Sequence, residues 1–120
     1  MRELTKAMKA LSDETRLRIL NVVLERECCV CEVMQSLEIS QTRASRNLGI
    51  LHDAGFLKLR KEGLWSLYSI DREGMKEAFP NLLEAIQTSL DYNDWAARDR
   101  ERLNEAQRVG PGCVQECTVA

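Results

Sequence analysis

The sequence predicts a mainly α-helical domain that carries one small β-hairpin. Apolar residues recur at helical spacing through most of the chain, which is typical of amphipathic helices. One stretch after residue 55 instead alternates apolar and polar residues, as a strand does. With 120 residues the chain is long enough for one hydrophobic core and too short for two. We therefore expect a single domain over residues 1–108, followed by a flexible, cysteine-containing tail over residues 109–120.

Two amphipathic helices are expected at the N-terminus. Ser12 can cap the second of them, and the acidic residues Asp13 and Glu14 in its first turn suit the helix dipole. This helix is expected to run to about Arg26. The first helix carries apolar residues at the spacing i, i+3, i+4 and i+7, which are Leu4, Ala7, Met8 and Leu11.

Two further short helices are separated by a three-residue turn at residues 38–40. The apolar residues Val33, Met34 and Leu37 predict the third helix. Ser40 can cap the fourth helix, which Gly55 ends. The buried face of the fourth helix is expected to consist of Ala44, Leu48 and Leu51. Two short helices joined in this way form a helix-turn-helix.

A β-hairpin is expected directly after the helix-turn-helix. Residues 57–60 alternate apolar and basic side chains, residues 61–63 form a turn, and residues 64–70 form an aromatic-rich strand. A hairpin in this position is typical of the wing of a winged helix-turn-helix. The predicted fold class is therefore a winged helix-turn-helix.

The C-terminal part is expected to be helical and to support a homodimer. Asp71 can cap it, and Pro80 marks a break or a new start. The charged run at residues 98–102 predicts an exposed helical extension. This region also carries an apolar stripe, and in so small a domain little of the core is left for it to pack against. We therefore expect the stripe to pair with the first helix and with the same stripe of a second copy of the chain. Packing within the monomer is the alternative. This stripe consists of Leu82, Leu83, Ile86, Leu90 and Ala97.

Positive charge is concentrated in the middle of the chain. Although the net charge is -2, residues 40–62 carry five basic and two acidic side chains. Such a segment is expected where one face of an acidic protein binds double-stranded DNA. Arg43 and Arg46 are the best candidates for specific contacts, and Arg60 and Lys61 should bind phosphate. The full set of candidate DNA-binding residues is Ser40, Gln41, Thr42, Arg43, Ser45, Arg46, Asn47, Arg60 and Lys61.

Three of the five cysteines lie within four positions, at Cys28, Cys29 and Cys31. Crowded thiols can bind a soft metal or metalloid, oxidise to a disulfide, or pack as small apolar residues. On an ideal helix Cys29 and Cys31 would point about 200° apart, so joint ligation requires part of the pair to be non-helical. Cys113 and Cys117, four positions apart, could share one face of a helical turn and reach back from the tail, or could have no role.

No signal peptide or membrane-spanning segment is apparent. The first residues are charged and lead into an amphipathic segment, and no apolar run is long enough to cross a bilayer. We therefore expect a cytoplasmic protein without a membrane partner, in which thiols stay reduced. A small thiol enzyme is a rival interpretation, but Glu27 and Glu32 flank the cysteines and the one histidine is His52. We therefore expect no enzymatic activity.

Two motifs of the chain match the pattern of a known family. Residues 29–33, Cys-Val-Cys-Glu-Val, resemble its metal-box pattern C-V-C-D-L. Residues 40–51 resemble its recognition helix, S-Q-x-x-x-S-R-H-L-x-x-L. On these motifs the chain resembles the ArsR/SmtB family of metalloregulatory repressors, in particular its arsenical-responsive branch. It departs from the pattern at Asn47, where His is usual, at Met34, where some members have a third cysteine, and at Cys28, where an aliphatic residue is usual.

The resemblance implies a repressor that leaves its operator when an inducer binds. The implied inducer is As(III) or Sb(III), held by three sulfur ligands, and no organic cofactor is implied. Cys29 and Cys31 match the motif, whereas the third ligand is open between Cys28, Cys113 and Cys117. A two-fold dimer on an inverted-repeat operator is expected. A cadmium or lead sensor, or a thiol redox sensor of the same fold, is the alternative.

Overall fold

A computed structural model of the protein describes residues 2–108. Seven helices and three strands follow one another along these residues: α1 (Arg2–Leu11), α2 (Glu14–Glu25), β1 (Cys28–Cys29), α3 (Val30–Leu37), α4 (Gln41–Asp53), β2 (Leu57–Glu62), β3 (Trp65–Ile70), α5 (Arg72–Ala78), α6 (Leu82–Leu90) and α7 (Asp94–Glu105). This order matches the mainly α-helical fold class that the sequence predicts. No helix within residues 2–108 is long and apolar enough to span a membrane.

The helix-turn-helix forms where the sequence predicts it, from α3 and α4. Glu38 ends α3 in the left-handed conformation, with a φ angle of 59°. Ser40 caps α4 by accepting a hydrogen bond from the backbone N–H of Arg43, at 3.2 Å. Gly55, with a φ angle of 93°, redirects the chain from α4 towards β2. The end of α3 at Glu38, the Ser40 cap and the turn at Gly55 together determine how α4 lies across α2 and α3.

The wing has one strand more than the sequence predicts. β2 and β3 form the expected antiparallel hairpin, but the sheet order is β1-β3-β2. The additional strand, β1, comes from the cysteine segment, and it places Cys28 opposite Tyr68 and Cys29 opposite Leu67. The cysteine segment is therefore paired directly with the wing.

One continuous core lies under α2, α4 and the base of the wing. Fully burying a Leu or Phe side chain contributes about 1.5–3 kcal/mol to the free energy of folding. The buried residues of this core therefore account for much of the stability that apolar burial provides. Its largest fully buried members are Ile19, Leu20, Leu48, Leu51, Phe56, Met75 and Leu103. The predicted buried face of α4 is thus confirmed.

The C-terminal charged segment is packed, which corrects the expectation of an exposed extension. α7 lies against α2 and α3, and Asp99 is fully buried. The Asp99 carboxylate accepts hydrogen bonds from Arg18, at 2.8 and 2.9 Å, and from Arg102. Ala97 also departs from the predicted stripe: it is exposed, and its neighbour Ala96 is buried. A buried carboxylate with two guanidinium partners explains how so charged a helix packs inward.

Apolar groups remain at the surface between the N-terminal and C-terminal helices. Leu4 and Met8 of α1 are 40% and 42% exposed. An open groove of about 530 Å³ lies between the end of α1, the start of α2 and helix α6. The apolar residues that line it are Leu11, Leu17, Ala85, Ile86, Leu90 and Trp95.

Candidate functional site

Cys29 and Cys31 lie together where β1 passes into α3. Cys29 is extended, with φ −88° and ψ 172°, and Cys31 lies in the first turn of α3. This change of backbone conformation brings the two side chains to one side, and their Sγ atoms are 3.2 Å apart. Both residues are fully buried, in a small apolar cluster with Leu67. The structure therefore brings together two of the predicted sulfur ligands.

Cys28 lies on the other side of β1, because adjacent residues of a strand point to opposite faces. Its side chain belongs to the main core, and its thiol donates to the backbone carbonyl of Arg26 at 3.2 Å. Burial, together with the nearby charge of Glu32, raises the pKa of the Cys28 thiol to about 12. The third ligand, which the sequence leaves open between Cys28, Cys113 and Cys117, stays a prediction, and Cys28 lies on the opposite face of β1 from the pair. Within residues 2–108 no three His, Cys, Asp or Glu side chains gather as a metal site.

Glu32 holds the cysteine segment in place, a role that sequence reasoning missed. Its buried carboxylate accepts the backbone N–H of Cys29 at 2.9 Å and also bonds Arg26 at 2.6 Å and Arg108 at 3.1 Å. Burial alone would raise the pKa of Glu32, but these hydrogen bonds outweigh it and lower that pKa. A glutamate three positions after an N-cap was the available signal, although the cap is Cys29 rather than Ser or Thr.

The last described residues return to the cysteine pair. Gln35 bonds the backbone of Gln107 twice: its Nε2 donates to the carbonyl at 2.8 Å, and its Oε1 accepts the N–H at 3.1 Å. The same Gln107 carbonyl lies 3.8 Å from the Sγ of Cys31. Sequence reasoning missed this contact, which joins positions more than seventy residues apart. Cys113 and Cys117 lie outside the described residues.

The outward face of α4 carries most of the predicted DNA-binding side chains. Thr42, Arg43, Ser45 and Arg46 are exposed on it. Arg43 donates to the hydroxyl of Thr15 at 2.8 Å, which holds its side chain along the α2–α4 junction. Of the remaining candidates at this end, Ser40 is exposed and serves as the N-cap, and Gln41 is half-buried.

Asn47, which the sequence predicts to bind DNA, is turned inward. It is only 7% exposed. Its Oδ1 accepts from Arg16 at 2.9 Å, and its Nδ2 donates to the carbonyl of Arg43 at 2.9 Å. Asn47 therefore joins α4 to α2, and its role in DNA binding stays a prediction.

On the wing, Arg60 is exposed but already paired. It makes two hydrogen bonds to the carboxylate of Glu27, at 2.8 and 2.7 Å, and an ion pair with Glu62 at 3.0 Å. The hydrogen bond from Arg60 lowers the pKa of Glu27. Lys61 is exposed next to it and donates to Ser66 at 3.0 Å. Because Glu27 precedes β1, this pairing connects the wing to the cysteine segment.

Comparisons with known proteins identify the family. Residues 13–59 match the family described as bacterial regulatory protein, arsR family. Over 100 residues the chain is 38% identical to the arsenic resistance transcriptional regulator ArsR1 of Pseudomonas putida, covering 81% of this chain and 74% of that protein. The chain belongs to the arsR family. It is also 45% identical over 76 residues to a cadmium resistance regulatory protein CadC homolog of Staphylococcus aureus, covering 62% of this chain and 63% of that relative.

A solved structure confirms the fold of this arsR-family chain. The homodimeric winged helix-turn-helix DNA-binding domain of a possible ArsR-family regulator from Mycobacterium bovis superposes with a TM-score of 0.64 and 26% identity. The match covers 78% of this chain and 82% of that one. The predicted winged helix-turn-helix is thus confirmed, and the chain is a DNA-binding transcriptional regulator rather than an enzyme.

Proposed function

We propose that this arsR-family regulator is a cytoplasmic, homodimeric repressor that leaves its operator when As(III) or Sb(III) binds Cys29 and Cys31. The observation that carries the proposal is the 3.2 Å separation of the two Sγ atoms at the start of α3. Soft, thiophilic centres select thiolate ligands, and two sulfurs on one side of the chain fit such a centre. The similarity to the arsenic resistance regulator of Pseudomonas putida supports the same inducer class.

The position of the pair explains how an inducer could act on DNA binding. Cys29 is both the last residue of β1 and the N-cap of α3. β1 pairs with the wing strand β3, and α3 packs against the recognition helix α4. Drawing the two sulfurs onto one atom changes the Cys29 backbone and so shifts both DNA-binding elements. A coupling of about 1–3 kcal/mol, typical of allosteric proteins, lowers operator affinity roughly 5- to 150-fold.

The DNA surface consists of the exposed face of α4 and the wing. Arg43 and Arg46 are suited to reach base edges and phosphates, whereas Arg60 and Lys61 supply salt-dependent phosphate contacts. In a two-fold dimer, two copies of α4 would read an inverted repeat with half-sites about 34 Å apart. The exposed apolar groups of α1 and the groove beside α6 are suited to form the dimer interface.

Two other sensor functions have specific support. The similarity to the cadmium resistance regulator of Staphylococcus aureus favours a thiophilic divalent metal as the inducer. The short distance between the sulfurs of Cys29 and Cys31 also favours oxidation as the signal. A zinc sensor has less support, because the single histidine, His52, lies near the end of α4, far along the chain from the cysteines.

The test is a set of binding titrations monitored by fluorescence anisotropy. A labelled duplex is first selected from a random-sequence pool with the reduced protein, and it is then titrated with arsenite, antimonite, cadmium, zinc and peroxide. We expect arsenite and antimonite to release the DNA from the wild-type protein and from Cys28→Ala, but not from Cys29→Ser or Cys31→Ser. If arsenite leaves the anisotropy unchanged while cadmium or peroxide lowers it, the corresponding alternative replaces the proposal.

A further inference from the structure

Arg16, in the first turn of α2, joins three helices through one guanidinium group. Its Nε donates to the carbonyl of Ala10 at 2.6 Å, and its Nη2 donates to the carbonyl of Lys9 at 3.2 Å. Both carbonyls belong to the last turn of α1, where a cation is favourable. The remaining nitrogen, Nη1, donates to Oδ1 of Asn47 on the recognition helix α4 at 2.9 Å. One side chain therefore connects the end of α1 to α4.

This connection lies beside an open groove between α1 and α4. The groove has a volume of about 250 Å³, and its walls include Lys6 and Lys9 of α1 and Ile50 and Asp53 of α4. The side chain of Arg16 is only 15% exposed, so its hydrogen bonds are largely sheltered from water. A hydrogen bond from a charged group is stronger than a neutral one, and a sheltered setting strengthens it further. The Arg16–Asn47 bond is therefore a firm link across a loosely filled junction.

Asn47 carries the link to the part of α4 that faces DNA. Its side chain is buried, and its Nδ2 donates to the backbone carbonyl of Arg43, one turn earlier, at 2.9 Å. Arg43 and Arg46 are themselves exposed. The bond to Arg16 therefore holds α4 within one turn of the arginines that are suited to read bases.

We propose that Arg16 is a positioning residue that fixes α4 relative to α1 and thereby restricts the spacing of half-sites that a dimer accepts. This inference rests on the proposed function, because it takes α1 as part of the dimer interface and an inverted repeat as the operator. Helix α1 carries the exposed Leu4 and Met8, whereas α4 reads each half-site. The separation of the two copies of α4 then depends on how firmly each is held to its own α1.

The geometry of DNA makes this link a source of specificity. Adding one base pair between half-sites moves one of them by about 3.4 Å and turns it by about 34°, since one helical turn takes about 10.5 base pairs. A dimer reaches the longer site by moving one α4 away from α1, which breaks the Arg16–Asn47 bond. The altered spacing therefore costs the free energy of that bond. A variant without the bond has nothing to break, so it discriminates less between spacings.

Anisotropy titrations on duplexes of altered spacing test this role. The operator selected with the reduced protein is compared with duplexes whose half-sites lie one base pair closer together or further apart. In Asn47→Ala we expect the ratio of affinity for the selected spacing to affinity for the altered spacings to fall roughly 10-fold, as loss of a charge-assisted hydrogen bond would give. Base preference within each half-site should stay as in wild type, which distinguishes positioning from base contact.

Arg16→Met and the double variant show whether the effect depends on this one bond. Because the two side chains share the bond, the double variant should have the same spacing ratio as Asn47→Ala alone. Ser12→Ala is the matched control: it removes a 2.8 Å hydrogen bond to the same Lys9 carbonyl, and it should keep the wild-type ratio. A wild-type ratio in Asn47→Ala, or a reduced ratio in Ser12→Ala, overturns the inference. Asn47→Ala keeps the bonds of Arg16 to α1, so it decides the question even if Arg16→Met does not fold.

A distance measurement on the free protein gives a second readout without DNA. A spin label is introduced at the exposed position of His52 in α4 through a non-natural amino acid, which leaves the cysteines intact. Pulsed electron paramagnetic resonance should give a narrow distribution of label-to-label distances in the wild-type dimer and a broader one in Asn47→Ala. If both distributions are equally wide, the proposed function stands and the positioning role of Arg16 fails. If wild type gives no label-to-label distance and binds one half-site as tightly as the inverted repeat, the proposed homodimer itself fails.

Discussion

The two helices of the helix-turn-helix are held in very different ways. α3 is fixed at both ends: Glu32 accepts the Cys29 amide at its start, and Arg102 and Arg18 donate to the carbonyls of Ser36 and Leu37 at its end. Helix α4 has its inner face in the core and its outer face exposed. A helix with both ends tied transmits a local change to its neighbours, whereas an exposed face is available to a partner. This difference suits a regulator in which an inducer acts on α3 and the exposed face of α4 binds DNA.

The largest expected effect concerns the buried charge that ties the end of α3. Asp99→Ala leaves Arg18 and Arg102 without their shared carboxylate. Removing one partner of a buried ion pair costs about 3–5 kcal/mol, which we expect as the loss of unfolding free energy in urea. Glu101→Ala, at an exposed position of the same helix, should change it by less than about 0.5 kcal/mol. A loss for Asp99→Ala as small as the control's would show that α3 is not held through this cluster.

The next effect belongs to the exposed face of α4. Arg46→Ala should cost about 1–3 kcal/mol in operator binding and relax the base preference at one position, with unfolding free energy unchanged. Anisotropy titrations on a panel of singly substituted duplexes measure both effects. Arg98→Ala, an exposed arginine of α7, is the matched control and should bind DNA as wild type does. If Arg46→Ala discriminated among the substituted duplexes as wild type does, the exposed face of α4 would not be the surface that reads the bases.

Asn47 sharpens the comparison, because it lies on α4 but bonds inward. Asn47→Ala loses the hydrogen bonds to Arg16 and to the Arg43 carbonyl. We expect about 1 kcal/mol less unfolding free energy and an unchanged base preference. Ser45→Ala, at an exposed position two residues earlier, should leave the unfolding free energy unchanged. A stable Asn47→Ala variant with altered base preference would place Asn47 on the DNA surface after all.

The smallest effect is expected on the wing, where Arg60 is already paired with Glu27. Arg60→Ala should weaken binding to all duplexes alike and reduce the slope of log affinity against log salt by about 1. Glu27→Gln should instead strengthen binding to all duplexes, since the carboxylate of Glu27 then no longer competes with phosphate for Arg60, and only the ion pair with Glu62 remains. Lys76→Ala, on the exposed surface of α5, serves as the control. A change of base preference in Arg60→Ala would contradict a phosphate-only role.

The sequence was sufficient for the parts of the molecule that depend on local patterning. The buried face of α4, the Ser40 cap and the β2–β3 hairpin all follow from periodicity, capping and turn chemistry within a few residues. The family motif also located the cysteine pair. Each of these features depends on neighbours in the chain and needs no knowledge of distant contacts.

The remaining features depend on contacts between distant residues. A two-residue strand has no period to detect, so the pairing of β1 with β3 could not be foreseen. The charged composition of α7 predicted exposure, because the arginine partners of Asp99 were not visible in the sequence. The residue type of Asn47 does not by itself distinguish a side chain that faces DNA from one that is buried and bonded to Arg16.

The shortness of β1 has a consequence for local stability. β1 pairs with β3 over two residues, whereas β2 pairs with it over six. Short pairings open more often than long ones, so the backbone amides of the cysteine segment should exchange with deuterated solvent sooner than those inside the hairpin. The least persistent part of the sheet is therefore the part that carries the thiols. An inducer that stiffens it would be detectable as slowed exchange on unlabelled protein, without any DNA present.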